Sequence, residues 1–465
     1  MAATPTPLSV DSLGSRPCVA VACSGGRDSM ALLHATACRV QALARSQDSA
    51  SGPTQVLALH VHHGLSPHAD QWLAHVQAQC EQWVQAGLPV AFVSCRLAGA
   101  PAPGESIEAW ARDGRYRALA DMARAAGADR VLLAHHRQDQ AETFVLQAMR
   151  GAGVAGLSGM PHEVVRDGIT WVRPWLDQPR EAIEAHVAAH GLSHIDDDSN
   201  TNERFARNRW RLSVWPGLQA LFPQAEQGFA DAAHHQADAQ ACMQEWVDAR
   251  WSTLTAEQGG TTAMSLAAWQ ALGDSAQRVF LKIWTERVAG IVLPQAVLCR
   301  LQRDWVGRSL TGGARWPLHG WREVVLYRGW LSWRKTARSS VAPVPEDEPA
   351  PRLPVTDAGN GLHHLALGWG QVQVDAATDD QGLPRSALAR AHWRQREGGE
   401  HFQLGAGRPQ RLLRKQYQAE GVPAWAREGP LLWLGDVLLF VPGLGLDAKA
   451  RALPGDDRVV LSWSP

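Results

Sequence analysis

Between Pro17 and Met149 four short apolar runs alternate with long helical stretches, and this alternation restricts the fold more than any other feature of the chain. Pro17–Cys23, Val56–His62, Pro89–Ser94 and Arg130–Ala134 are apolar through most of their length instead of at every second residue. A strand of that kind must be covered on both faces. The intervening stretches, Asp28 to about Arg45, Pro67–Ala86, Ile107–Ala126 and Gln138–Met149, are long enough to be the covering helices. The expected fold is α/β, a doubly wound parallel sheet whose ligands gather beyond the carboxyl ends of its strands.

The first strand runs into Cys23-Ser24-Gly25-Gly26-Arg27-Asp28-Ser29 and then into a helix. Glycines let the backbone turn tightly and approach a ligand. Their N–H groups, with the free amides and positive end of the helix, form an anion site. Ser24 and Ser29 add hydroxyl donors, and Arg27 adds positive charge. Asp28 repels phosphate, so it reads as a Mg²⁺ ligand or a helix cap. No GxxxxGK[ST] is present, which excludes a Walker loop built to transfer the γ-phosphate. The plain alternative is a glycine turn with a Ser/Asp cap.

Four further segments carry chemically useful residues. His60-Val61-His62-His63-Gly64-Leu65-Ser66 closes the second strand, and alternate strand residues face opposite ways, so it does not read as a metal site. In Glu108-Ala109-Trp110-Ala111-Arg112-Asp113-Gly114-Arg115-Tyr116, Glu108, Arg112 and Arg115 share one helix face. Guanidiniums there suit a polyanionic transition state or RNA phosphate. Asp139 and Glu142, in His136-Arg137-Gln138-Asp139-Gln140-Ala141-Glu142-Thr143, lie one helical turn apart, as acid–base or metal partners should. Asp197-Asp198-Ser199-Asn200 precedes Arg207-Asn208-Arg209-Trp210-Arg211, whose arginines suit RNA contact. Taken singly, each of these also reads as a solvated or salt-bridged surface.

In order, SGGxDS, HVHHGL, ExxARxxRY, HxxDDQxET with RGxGxxGL at Arg150–Leu157, and DxSN…RNxxR…P ending at Pro216 resemble the tRNA(Ile)-lysidine synthases, a PP-loop family of ATP pyrophosphatases. The likeness is dense over Val19–Leu218 and returns at Arg408–Lys415 and Pro423–Leu432. It implies a PP-loop domain, like the adenine nucleotide α-hydrolases, that cleaves ATP between its α and β phosphates. The wobble cytidine of an isoleucine tRNA with a CAU anticodon would be O-adenylated, and the ε-amine of free L-lysine would then displace AMP. On matching positions, ATP would lie on Ser24, Gly25, Gly26, Arg27, Asp28, Ser29 and His62, with Mg²⁺ on Asp28 and Asp139. Asp28, Arg112, Asp139 and Glu142 would be catalytic, Glu142 as general base or lysine-binding group. Arg115, Arg207, Arg209 and Arg211 would meet tRNA, as would Arg411, Arg414 and Lys415 on a C-terminal helix near Gln410–Ala419. Gln138 departs from the family's usual Asp, which would weaken or shift the Mg²⁺ site.

The 465 residues carry a net charge of −1, so RNA affinity must come from local basic patches, of which Arg408–Lys415 is the strongest. Asp231–Trp251 and Leu266–Val288 read as helices, with a short β element at Trp321–Trp333, and Thr336–Pro354 is a Pro/Ser-rich linker. The expected domains are 1–218 (catalytic), 219–335 (mainly helical), the linker 336–354, and 355–465 (small, α+β, tRNA-binding). The seven cysteines include no CxxC, which argues for reduced thiols and against a PP-loop tRNA thiolase with paired cysteines or an iron–sulfur cluster. A non-catalytic nucleotide- or RNA-binding protein, suggested by Gln138, is the other alternative. A small-molecule adenylating enzyme would leave the later domains unexplained. Met1–Arg16 has no secretory character, and no apolar run approaches the roughly 20 residues that span a bilayer, so the cytoplasm is expected. A homodimer is left open.

Overall fold

The computed structural model describes residues 18–45, 54–64, 66–99, 107–195, 206–258, 260–309, 313–318, 322–335, 353–355, 358–365, 370–377, 382–422, 427 and 429–464. The motif at 197–200, the linker through 352 and the residues 423–426 lie outside these. The chain divides into two compact units, Met1–Glu245 and Trp246–Pro465.

In the first unit β1 (Cys18–Ala22), β2 (Gln55–His62), β3 (Val90–Arg96), β4 (Arg130–Leu132), β5 (Glu163–Arg166) and β6 (Ile169–Val172) form one six-stranded sheet, in the order β3-β2-β1-β4-β6-β5. All neighbours are parallel except β5 with β6. The helices are α1 (Arg27–Arg45), α2 (Ala69–Gln85), α3 (Ile107–Ala125), α4 (Arg137–Met149), α5 (Val154–Leu157) and α6 (Arg180–His190). Val19 and Val21 enter a core with Met30, Leu33, Trp83 and Ile183. Ala20, between them, enters the opposite core with Leu57, Leu119 and Trp171. Burial on both faces is why β1 is apolar throughout. The chain runs from β1 outward through β2 and β3, then returns to the other side of β1 for β4. The cleft for a ligand therefore opens between the ends of β1 and β4.

Beyond the four strands expected, β5 and β6 form a hairpin whose turn, Asp167 (φ 54°) and Gly168 (φ 75°), has the paired positive φ of a type I′ turn.

In the second unit the expectation of one short β element needs correction. Thr255–Gln258, Thr261–Ser265, Ala314–Leu318, Arg322–Tyr327 and Trp330–Lys335 form a five-stranded antiparallel sheet. Helices Asp274–Ala289 and Gln295–Trp305 share a core with it, rich in tryptophan (Trp269, Trp284, Trp305, Trp333). The helix expected over Leu266–Val288 is interrupted after Gln270 and resumes at Asp274. The remainder holds a five-stranded and a four-stranded antiparallel sheet around Trp393, Phe440, Val374 and Leu461.

Candidate active site

The turn from β1 to α1 is held from several sides. Cys23 N–H donates to the Leu59 carbonyl at 2.8 Å, and His60 Nδ1 donates to the Cys23 carbonyl at 2.9 Å. Gly25 has φ +91°, and a Cβ there would lie 2.7 Å from Ile195 Cδ1, so both conformation and space demand glycine. Ile195 N–H donates to the Gly25 carbonyl at 2.9 Å. Ser29 Oγ donates to the Gly26 carbonyl at 2.8 Å and accepts from Ser24 N–H at 3.2 Å. The first-turn amides of α1 have no intrahelical acceptors, so the turn presents an anion site at the cleft.

Across the cleft, His136 caps α4, and its N–H donates to Asp139 Oδ2 at 3.1 Å. The buried His136 ring sets Nε2 3.7 Å from Asp28 Oδ2 and 3.5 Å from Asp139 Oδ2. Burial opposes the imidazolium, but the two carboxylates outweigh it and raise the His136 pKa. Burial likewise opposes the charge on Asp28, yet His136 and Arg27 hold its pKa down to about 2. Asp139 is lowered too, with burial overcome by His136, Arg207, His135 and Arg211. Carboxylates from the phosphate turn and from the α4 cap thus converge on one N–H. Asp139 supplies the second acid of this pair, while Gln138 is buried in the first turn of α4.

Glu142 is wholly buried one turn further along α4. Arg207 Nε donates to its Oε2 at 2.8 Å, and Arg211 Nε to its Oε1 at 2.5 Å. Arg211 also donates to Asp139 Oδ1 at 2.8 Å, and Arg207 to the Asp139 carbonyl and Thr143 Oγ1, both at 3.1 Å. Arg207 stands in the short helix Ala206–Arg209 and Arg211 in the π-helical turn Trp210–Val214 that continues it. Trp210 and Trp215 anchor this segment against Val145. Arg207 and Arg211, expected on RNA phosphate, instead clamp the α4 acids, because a carboxylate buried this deeply needs charged partners. Each Glu142 oxygen already accepts one guanidinium N–H, so a base or lysine-binding role would have to share the carboxylate with Arg207 and Arg211. Arg209, between the two, is exposed.

The other expected residues are dispersed. His62 is buried with Nε2 3.3 Å from Asp70 Oδ1, and Asp70 also pairs with Arg96, so His60 is the member of that segment touching the phosphate turn. Arg27 divides its donors between Asp28, at 3.1 Å, and Glu184 of α6, at 2.6 Å. Arg112 and Arg115 are exposed on α3, each 5.9 Å from the Tyr116 ring centre, and the Glu108 side chain lies outside the described residues. Burial, then the Arg115 charge, push His63 down to about 4. Arg411 lies on a two-residue strand, Arg411–Leu412, paired with His401–Phe402, so the helix expected from Gln410 begins only at Leu413. Arg411, Arg414 and Lys415 are exposed, while Leu413, Gln416 and Tyr417 are buried. His60 and His136 stand inside the motifs read from the sequence, but only the fold reveals what they touch.

A PP-loop domain model matches residues 8–218, and a model described as the TilS substrate C-terminal domain matches 391–463. The tRNA(Ile)-lysidine synthase of Ralstonia nicotianae is 36% identical over 97% of this chain and 94% of its own. The chain belongs to the tRNA(Ile)-lysidine synthase family. The synthases of Burkholderia mallei (34% identical; 96% of this chain, 93% of its own) and Pseudomonas fluorescens (35%; 92% and 90%) agree. Membership over nearly the full length makes the chain an ATP-dependent ligase of tRNA and favours that reading over a thiolase or a non-catalytic binder. All seven cysteines are free thiols. Among the described residues, no helix is long and apolar enough to cross a membrane.

Proposed function

We infer that this chain joins free L-lysine to the wobble cytidine of an isoleucine tRNA with a CAU anticodon, forming lysidine with release of pyrophosphate and AMP. The observation that carries the site assignment is the convergence of Asp28, from the Ser24–Ser29 turn, and Asp139, from α4, on His136 beside the β1 and β4 ends of the sheet. In the first step the cytidine oxygen attacks the α-phosphorus of ATP and pyrophosphate leaves. Loop amides and the α1 dipole stabilise the phosphate charge. In the second step the lysine ε-amine attacks the activated ring carbon and AMP departs. That amine must be neutral, and its ordinary pKa is about 10.4, so a dry pocket has to favour the neutral form or a carboxylate base has to take the proton as the amine attacks.

Asp28 and Asp139 fit Mg²⁺: they are hard oxygen donors whose Oδ2 atoms already face one shared ring nitrogen, His136 Nε2. Mg²⁺, when bound there, supplies charge neutralisation for the triphosphate. Arg207 and Arg211 position Asp139 and hold Glu142. We assign tRNA contact to the exposed arginines Arg115 and Arg209, and to Arg411, Arg414 and Lys415 in the C-terminal domain, and a catalytic role near the phosphates or the base to Arg112. The cytoplasm, where tRNA, ATP and lysine meet, is the expected compartment. Incubation with ATP, radiolabelled lysine and total tRNA, followed by digestion to nucleosides, tests the reading. Label in lysidine supports it, whereas label absent from RNA, or only esterified at the 3′ end, contradicts it.

A further inference from the structure

The seam between α1 and α6 carries a cluster that the ligase chemistry does not use. His34 and Cys38 stand one turn apart on α1, and His186 and His190 one turn apart on α6. His34 Nδ1 lies 3.1 Å from His186 Nε2. The ring centres of His34 and His190 are 4.7 Å apart, and those of His186 and His190 4.6 Å. One nitrogen from each of the three rings lies within 4.8 Å of the other two. Trp83 covers His34 at 5.4 Å between ring centres, and Cys38 Sγ approaches His34 Nε2 to 3.7 Å. With zinc–nitrogen bonds of about 2.0–2.1 Å, tetrahedral ligand nitrogens sit about 3.3 Å apart, close to the His34–His186 separation.

Neutral imidazole is the metal-binding form. Burial first, then His190 and His186, push the His34 pKa down to about 4. Burial and His190 lower His186 as well. His190 is exposed, which gives an ion a way in.

We propose that His34, His186 and His190 bind one borderline divalent transition-metal ion of the zinc class, stapling α1 to α6. This site is distinct from the Asp28–Asp139 pair, since His34 is two turns along α1 from the phosphate loop. The Arg27–Glu184 ion pair closes the same seam nearer that loop. The ion therefore fixes the helix whose first turn carries Asp28, and its role is structural.

The test uses the full chain, stripped with chelator and titrated with ZnCl₂ against a chromophoric competitor. One equivalent should bind and raise the unfolding midpoint by about 5 °C at saturating metal. That equivalent should be lost in the His186→Ala/His190→Ala variant. It should persist in Asp28→Asn/Asp139→Asn and in His162→Ala/His234→Ala, which disables a second histidine-containing group among the described residues, His162–Asp177–His234. X-ray absorption of zinc-loaded wild type, which needs no variant to fold, should show three imidazole ligands. No uptake, an uptake unchanged in the His186→Ala/His190→Ala variant, or a shell without three imidazoles overturns the proposal.

Discussion

Changing Glu142 to Gln keeps the side-chain shape but removes the charge that two guanidiniums share. In wild type both oxygens accept Nε–H donors, at 2.8 Å and 2.5 Å. In the variant one of those arginines meets an N–H₂ donor instead. Breaking a buried ion pair from one side costs about 3–5 kcal/mol. Here the Arg207 and Arg211 side chains are 37% and 31% exposed and regain water, which brings the cost to about 2 kcal/mol. A domain of this size would then melt about 4–8 °C lower. Arg211 also holds Asp139 at 2.8 Å, so its release loosens the acid facing Asp28. Misplacement of about 1 Å costs on the order of 100-fold in rate, so tRNA-dependent pyrophosphate release should fall by about that factor. Thermal denaturation and single-turnover pyrophosphate release measure the two effects. If the variant adenylates tRNA at the wild-type rate and fails only at lysine transfer, Glu142 is a base or lysine ligand and the clamp reasoning is wrong. Wild-type stability would refute it equally.

Other expectations follow from the same geometry. Asp28→Asn should abolish pyrophosphate release while tRNA binding by filter retention stays within about twofold, and full turnover would remove Asp28 from the mechanism. The triple variant Arg411→Ala/Arg414→Ala/Lys415→Ala should weaken tRNA binding and flatten its log–log salt slope by roughly 2 to 3, with kcat at saturating tRNA unchanged. An unaltered slope would place the RNA contact elsewhere. Tyr417, whose hydroxyl donates to the Pro442 carbonyl at 2.9 Å, is raised to about 12 by burial, against Arg396 and Arg427. An unfolded tyrosine ionises near 10, so the neutral phenol's contribution is complete below about pH 10 and is lost between about 10 and 12. Ultraviolet titration should show one of the three tyrosines ionising late, together with unfolding, and Tyr417→Phe should abolish that late step.

The α/β character of the first unit and its phosphate loop were legible because both are local. A run such as Val19–Ala20–Val21 is apolar at consecutive positions only if both faces are covered, and Ser24–Ser29 follows it directly. The β5–β6 hairpin was legible in principle, since Asp167-Gly168 between Val164-Val165 and Ile169 is a recognised turn signal. The middle sheet was hidden because its strands are only 4–6 residues long and several, such as Thr255-Ala256-Glu257-Gln258, are mostly polar. Arg207 and Arg211 looked like an RNA-binding surface because nothing local reveals that Glu142, 65 and 69 residues away, turns them inward. The histidine cluster joins residues 152 apart, beyond the reach of any motif or periodicity.

The most direct test is the fate of ATP labelled in its α-phosphate, supplied with the full chain, Mg²⁺, lysine and an unmodified isoleucine tRNA of CAU anticodon. Without lysine, label should accumulate on the tRNA as pyrophosphate is released. With lysine it should leave as AMP, one per lysidine formed. Recovery of the label as ADP, or AMP formation that needs no tRNA, would contradict the assignment of the Ser24–Ser29 turn to attack at the innermost phosphorus.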